Sequence, residues 1–503
     1  MSSKHTPISL HPDNPRYFLY DDKPLVLITA TEHYGAVINR NFNYEAYLDD
    51  MVDKQHTLSR CFLLFREMQV FDGSTLVPIN PHSPCKPLAG EFVSPFARTG
   101  NGFATDGYPK FDLDTWNPEY FERLHGFLQA GEERGIIIEL TLFSSTYSDA
   151  VWRLNPLNIQ NNVNGVGDIP WQDYVSMRDK VLFDRQLSYV RKIVQEVNPY
   201  KNIYLEICNE PFTTRAGFTA QKGFASKEEV QAWQRKIRET IREEEARLSN
   251  KHLIFQVPLE FWRTDTALEE ILAEDNVDAI NMHDYQNLTY KDIPLTSLSR
   301  FMQRDLRLRR INHFWTSVHG TAKPFIFDED NSATNALDEE AWTVHRKRAW
   351  ATVCSGGHYN MIDFSVQVGG QEAGTPASQA MIRSWLKYLS SFTHSLDFIS
   401  MKPLVNFASE TPKSTIAITL AKEAEEYILY LADEREVDDA ALGEPCAGKL
   451  SLNLPEGSYT VKFFSPVEGV YLENETHAAG GELSLELKPF IHDIVIQIKK
   501  TAI

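Results

Sequence analysis

The sequence predicts a TIM barrel, an α/β fold of eight β/α units, followed by a smaller C-terminal antiparallel β-sandwich domain. Two observations carry this expectation. Up to about residue 395, short apolar runs alternate with long amphipathic segments, the pattern of a parallel sheet wrapped by helices. Beyond that point the long helical patterns stop, and short alternating runs follow one another between turn signals, as in an antiparallel sandwich. The expected domains are therefore residues 1–395, a barrel that includes an N-terminal β-hairpin, and residues 396–503, the sandwich. A chain of 503 residues is long enough for a large barrel with an appendage.

The elements follow in order. Residues 17–20 and 24–28 flank Asp21 and Asp22 and read as a hairpin whose second arm runs on into barrel strand one. Helical patterns cover 44–55, 119–134, 173–196, 226–248, 342–354 and 377–391. Ser226 and Glu229 stand at capping-box spacing. Strands centre near residues 26, 60, 138, 204, 254, 280, 326 and 361, eight in all over about 370 residues, which fits the barrel. A doubly wound open sheet is the alternative arrangement. Residues 71–115, rich in Pro, Gly and Asn, read as a long irregular loop, and loops of that length are usually functional. After residue 395, strand patterns at 414–420, 426–433, 449–454, 458–465, 482–487 and 491–499 are separated by signals such as Pro455-Glu456-Gly457 and Gly480-Gly481.

The composition is globular, with 42% apolar, 24% charged and 12% aromatic residues. A net charge of −19 repels phosphate backbones and anionic membrane surfaces, so neither nucleic acid nor a membrane is the expected partner. No apolar run reaches the length of a membrane span, and the first ten residues lack the apolar stretch of an export signal. The expected location is the cytoplasm. Five cysteines, Cys61, Cys85, Cys208, Cys354 and Cys446, show no CxxC spacing and read as free thiols of a reducing compartment.

Barrel enzymes carry their chemistry just past the C-terminal ends of the strands. Strand two ends near Arg60, strand four in Asn209-Glu210-Pro211, strand six in His283-Asp284-Tyr285, and strand seven in Asp328-Glu329-Asp330. Polar residues thus converge where the barrel mouth should lie. Pro211 biases Glu210 away from the right-handed helical region and stops its strand. Strand alternation places Asp328 and Asp330 on one side and Glu329 on the other. From the residues alone, each acidic strand end also reads as a solvated loop.

Asn209-Glu210-Pro211 resembles the signature of clan A glycoside hydrolases, the cellulase-like retaining barrels, some of which carry a C-terminal β-sandwich. Pro324 followed by Glu329 is similar to the clan's strand-seven pattern, Arg60 to its strand-two arginine, and His283 with Tyr285 to its strand-six His-x-Tyr pair. The resemblance covers residues 17–395. It implies that Glu210 is the general acid/base and Glu329 the nucleophile, with Arg60, Asn209, His283 and Tyr285 around them. It also implies a β-linked oligosaccharide or polysaccharide substrate and a mechanism that needs neither cofactor nor metal. Where the clan often carries a tryptophan after strand eight, this chain has Asp363-Phe364-Ser365.

The residue types suit that chemistry. Retaining hydrolysis needs two carboxyls about 5–5.5 Å apart, one ionised and one protonated. An ionised Glu329 would raise the pKa of Glu210 by repulsion and so separate the two roles. Pyranose C–H faces stack on aromatic rings, and Trp152 and Trp171 lie in the insertion after strand three with Asn155, Asn158, Asn161 and Asn162. His33, after strand one, reaches towards the same mouth. Tyr108, Trp116 and Trp262 are further aromatic candidates, and plain packing serves each of them equally well.

Two other functions stay open on the sequence. A metal-dependent barrel hydrolase could use His33, His283, Asp284, Asp328 and Asp330, although the spacing of a His/Cys metal site is missing. A non-catalytic carbohydrate-binding protein would not need two acids at these strand ends. Phosphate-binding glycine motifs are absent, which argues against nucleotide chemistry.

Overall fold

A computed structural model of the chain describes residues 6–33, 35–66, 70–71, 74–75, 89–146, 148–211, 223–258, 265–283, 289–290, 293–294, 308–330, 339–362, 376–435 and 439–501. Eight strands form one parallel sheet. In chain order they are Ile28–Thr31, Leu58–Phe62, Ile137–Ser144, Ile203–Asn209, Ile254–Gln256, Ala279–Met282, Phe325–Asp330 and His358–Ile362, named here barrel strands one to eight. Strand eight pairs back onto strand one from Tyr359↔Ile28 to Ile362↔Thr31. Strands one and two close the ring, with Thr57 N donating to Ile28 O at 3.2 Å and Phe62 N to His33 O at 2.8 Å. The expected TIM barrel is the fold, and the open-sheet alternative falls because the sheet closes on itself.

A helix follows each strand: Tyr44–Asp53, Pro118–Glu133, Lys180–Val197, Lys227–Glu245, Asp265–Ala273, Leu308–Val318, Glu339–Cys354 and Pro376–His394. Local chemistry starts several of them. Ser226 and Glu229 form the expected capping box, and Asn117 caps a helix that opens on Pro118.

The barrel interior is layered. Leu27, Leu58, Ile137, Tyr204, Phe255, Ala279 and Ile326 pack together at its lower end, where Ile8, Phe18 and Tyr20 of the N-terminal strands plug it. The second arm of the opening hairpin, Lys23–Leu25, belongs to that plug, and barrel strand one starts only at Ile28. Two residues further along each strand, alternation brings the next inward layer. It consists of Thr29, Arg60, Glu139, Glu206, Asn281, Asp328 and Asn360, all buried. A greasy floor thus supports a buried polar layer.

Two expectations are corrected. The stretch 71–115 is not irregular throughout, because Phe96–Phe103 and Pro109–Trp116 pair as an antiparallel hairpin. Its turn is closed by Gly107 N donating to Ala104 O, with Gly107 at φ +81° after Asp106. The C-terminal strands form the expected antiparallel domain, hydrogen-bonded as one continuous sheet, but one expected turn within it is not a turn. Its long strand Cys446–Ser465 pairs with Val470–Phe490 along its length, with Ala408–Glu410 beside its first half and Asp493–Lys500 beside its second. Pro455-Glu456-Gly457 does not end a strand there; the register shifts between Leu454 and Ser458, and the ribbon bends. Gly480 makes the bend possible, since a Cβ there would stand 2.2 Å from Pro455 O.

Strand Glu426–Asp433 is buried on both faces. Tyr427, Leu429 and Leu431 enter the domain's own core with Leu450, Tyr459 and Ile496. Ile428, Tyr430 and Ala432 join Trp350, Trp385 and Phe392 of the barrel helices in a second core. The sheet domain is therefore packed onto the last two barrel helices.

Among the described residues, no helix is long and apolar enough to cross a membrane. Cys61, Cys208, Cys354 and Cys446 are free and buried, while Cys85 lies outside the described residues.

Candidate active site

The site sits above the polar layer, at the C-terminal ends of strands two, four, six and seven. Strand four ends in a bend. Glu210 takes φ +43°, outside the right-handed region as Pro211 requires, but in the sparsely populated left-handed region rather than extended. Strand three pins that bend, with Ser145 N donating to Asn209 O at 3.1 Å and Ser145 Oγ donating to Glu210 O. A non-glycine residue held in this conformation is a form of strain that clusters at functional sites.

Strand seven reaches the site through a second irregularity. Its register against strand eight shifts between Phe327 and Asp330. The bulge breaks the alternation expected for the three acids. Asp328 and Glu329 both approach Arg60, with Asp328 Oδ2 3.1 Å from Nε and Glu329 Oε2 2.9 Å from Nη1. Asp330 instead meets His345 and Arg348 of helix Glu339–Cys354. Asp328 and Asp330 therefore do not share a side.

One imidazole joins the two glutamates. His283 Nδ1 lies 3.0 Å from Glu210 Oε1 and 3.3 Å from Glu329 Oε2. A carboxylate oxygen from each glutamate and a His283 nitrogen all fall within 4.8 Å of one another. The side chains differ in access to water: Glu210 is 27% exposed and Glu329 9%. Burial pushes the Glu329 carboxyl up, against the pull of His283 and Arg60 and with the repulsion of Glu210. Burial presses the charged form of His283 down, yet Glu329 and Glu210 attract it strongly enough to hold its pKa at about 9.

Arg60 organises the floor of the site. Besides Glu329, it donates from Nη2 to Glu206 Oε2 at 2.7 Å and to Asn209 Oδ1 at 2.9 Å. Asn209 Nδ2 donates in turn to Ser144 Oγ at 3.2 Å. Burial lowers the guanidinium's pKa, but Asp328, Glu206, Glu139 and Glu329 together raise it well above the ordinary value. The sequence reading missed Glu139, Glu206 and Asn281. Asn281 Nδ2 donates to Glu139 Oε1 at 2.7 Å and to Glu206 Oε1 at 3.0 Å. The signal was available: each acid interrupts an otherwise apolar strand, and a lone acid there needs a buried partner. Burial drives the Glu139 carboxyl well up, with Asp328 and Glu206 adding repulsion and Arg60 opposing.

The remaining expected residues divide. His33 stands beside the site, buried against Phe62, and burial followed by Arg60 and His283 keeps its ring neutral. Trp171 is half-buried in a small recess with Ser145, Thr146, Tyr174 and Phe224, next to the bend that carries Glu210. Trp152 is not brought to the cleft. It is 1% exposed, and its Nε1 donates to Ile169 O at 3.1 Å, so the ring belongs to the core. The nearby asparagines serve their own loop: Asn161 Nδ2 donates to Arg153 O and Asn155 O, and Asn162 Nδ2 to Asn158 O and Val166 O. Trp116 stacks on Phe96, while Tyr108 lies half-exposed beneath Arg98. Tyr285, Asp284, Trp262 and Asp363-Phe364-Ser365 lie outside the described residues. Of the metal set weighed above, His283 and Asp328 come together with Glu206, Asp330 points to the helix layer, and Asp284 lies outside the described residues.

Solved structures share this barrel-plus-sheet architecture. One described as a glycoside hydrolase superposes with a TM-score of 0.59 at 12% identity, covering 99% of this chain and 97% of that one. A family 5 glycoside hydrolase from Bacteroides vulgatus gives 0.59 at 13% identity, covering 98% and 93%. This is the fold of glycoside hydrolases. An endo-1,4-β-mannanase from Rhizomucor miehei gives 0.50 at 14% identity over 78% of this chain and all of that one, 100%. A family model described as a domain of unknown function, DUF6298, matches residues 88–247, a segment that contains strands three and four and Glu210. No curated protein matches the chain.

Proposed function

We propose that this chain is a retaining glycoside hydrolase acting on β-linked oligosaccharides or polysaccharides, with Glu329 as nucleophile and Glu210 as general acid/base. The observation that carries the reading is the convergence of these two carboxylates, within 4.8 Å, on His283 at the barrel mouth. Carboxylate oxygens of the two residues that come within 4.8 Å of each other support the close pair, about 5–5.5 Å between carboxyls, that double displacement uses.

The chemistry divides between the two acids. The Glu329 carboxylate attacks the anomeric carbon as the bond to the leaving oxygen breaks, and Glu210 gives its proton to that oxygen. A water then attacks the glycosyl ester, Glu210 takes the water's proton, and the ester bond to Glu329 breaks. Arg60, 2.9 Å from Glu329, holds the nucleophile in place and favours its ionised form. The more exposed Glu210 exchanges its proton with solvent between the steps. His283 orients both carboxylates, and Trp171, in the recess with Ser145, flanks the leaving group in this reading. Asn209 faces the sugar's 2-hydroxyl in this reading.

A panel of 4-nitrophenyl glycosides and β-linked oligosaccharides, with β-mannosides included because of the mannanase likeness, tests the reading. Wild type should turn over at least one substrate without loss in EDTA, and Glu210→Gln and Glu329→Gln should each abolish it. Loss in EDTA would instead favour a cation held by Glu210, His283 and Glu329, a set that can ligate one.

A further inference from the structure

Helix Glu339–Cys354 buries four successive polar residues, His345, Arg346, Lys347 and Arg348, between strand seven and the sheet domain. Positions three apart share a helix face. His345 and Arg348 accordingly hold the same carboxylate: His345 Nδ1 lies 2.9 Å from Asp330 Oδ2, and Arg348 Nη1 donates to Asp330 Oδ1 at 2.8 Å. The Tyr359 hydroxyl adds a third hydrogen bond to Asp330 Oδ2 at 2.6 Å. The two residues between them turn to the sheet domain. Arg346 grips Asp493 with Nε at 3.1 Å and Nη2 at 2.7 Å, and Lys347 Nζ donates to Asp433 O and Arg435 O, both at 2.9 Å. The Tyr430 hydroxyl also donates to Asp493 at 2.9 Å, and Trp350, one turn beyond Arg346, stacks on Tyr430.

Glu329 sits in the bulge, where pairing to strand eight skips from Phe327 to Asp330. The regular ladder is interrupted there, and the side chains on either side add their own hold on the strand end. Asp328 is held from inside by Asn360 and Arg60, and Asp330 from outside by the helix. The geometry points to the C-terminal sheet domain as the positioning element of Glu329, with Asp493 and Arg346 acting through a single helical turn on Asp330. This rests on the assignment of Glu329 as nucleophile.

The energetics support the link. Removing the Asp493 charge leaves the buried Arg346 guanidinium with the Trp385 ring but no counter-ion, a cost that movement of the helix relieves. His345 and Arg348 share that turn, so the movement reaches Asp330 and the strand end. Displacement of a reacting group by about 1 Å costs on the order of 10²-fold in rate.

Amide hydrogen exchange on the full chain tests the idea without reference to activity. In Asp493→Asn, exchange over Phe325–Asp330 should accelerate, while Ile137–Ser144 on the opposite wall stays as in wild type. With the best substrate of the panel, kcat should fall about tenfold or more with KM little changed. Arg346→Lys, which keeps the charge but loses the two-pronged grip, should give a smaller effect of the same kind and serves if Asp493→Asn does not fold. Acceleration confined to the sheet-domain strands, with kcat unchanged, would overturn the proposal. Accelerated exchange at Phe325–Asp330 in a protein whose wild type cleaves no glycoside would uphold the coupling and overturn the enzymatic assignment instead.

Discussion

Arg60 Nη1 donates to Glu329 Oε2 at 2.9 Å, and the same guanidinium faces three further buried acids, Glu139, Glu206 and Asp328. A single planar fork serves every one of these contacts, and an ammonium group cannot match that geometry. Arg60→Lys should lower kcat/KM by on the order of 10²-fold, because the nucleophile loses its fixed partner. It should also destabilise the fold by about 1–3 kcal/mol, since acceptors of the lost guanidinium hydrogen bonds are left unsatisfied in the interior. Steady-state kinetics and denaturant unfolding measure the two effects, and near-wild-type values in both would contradict this role.

His283 is raised from 6.5 to about 9 by its two glutamates. The folded protein binds this proton more tightly than the unfolded chain, so the imidazolium stabilises the fold fully below pH 6.5. That stabilisation is lost as the pH rises through about 9. The difference in unfolding free energy between wild type and His283→Gln should therefore shrink across this window. Parallel pH curves for the two proteins would mean that the imidazole is not charged in the native state.

Asp328 shifts in the opposite sense for its own charge. Burial raises its carboxyl from 3.8 to about 6, with Arg60 opposing and Glu206 reinforcing the shift. The fold favours the protonated form, so this contribution is present at low pH and fades between 3.8 and about 6. Wild type should lose stability relative to Asp328→Asn as the pH is raised over that interval. Denaturant midpoints at several pH values read this directly, and a gap that widens with pH in favour of wild type would rule it out.

Much of this was legible in the sequence because barrel strands are short apolar runs with fixed exits. The ends of strands two, four, six and seven gave Arg60, Glu210, His283 and Glu329, and the fold brings these four together. Contacts across the barrel were less legible. Alternation assigns Asp328 and Asp330 to one side, and the bulge in strand seven, which no strand pattern signals, turns them apart. Trp152 looked like a sugar platform from its asparagine-rich setting, but those amides are consumed by the loop's own carbonyls. Pro455 and Gly480 each read as a turn in isolation; only their close approach across a ribbon shows that they form one bend. Glu139 and Glu206 passed unnoticed because a pattern search for strands treats a single acid as noise, whereas burial makes it the costliest group in the run.

The most direct test of the central claim is azide rescue of Glu329→Gly on an activated aryl glycoside. If Glu329 is the nucleophile, the variant is inactive alone and azide restores turnover with an azido sugar as product. Rescue obtained instead with Asp328→Gly or Asp330→Gly, or an active Glu329→Gly enzyme without azide, would contradict the account.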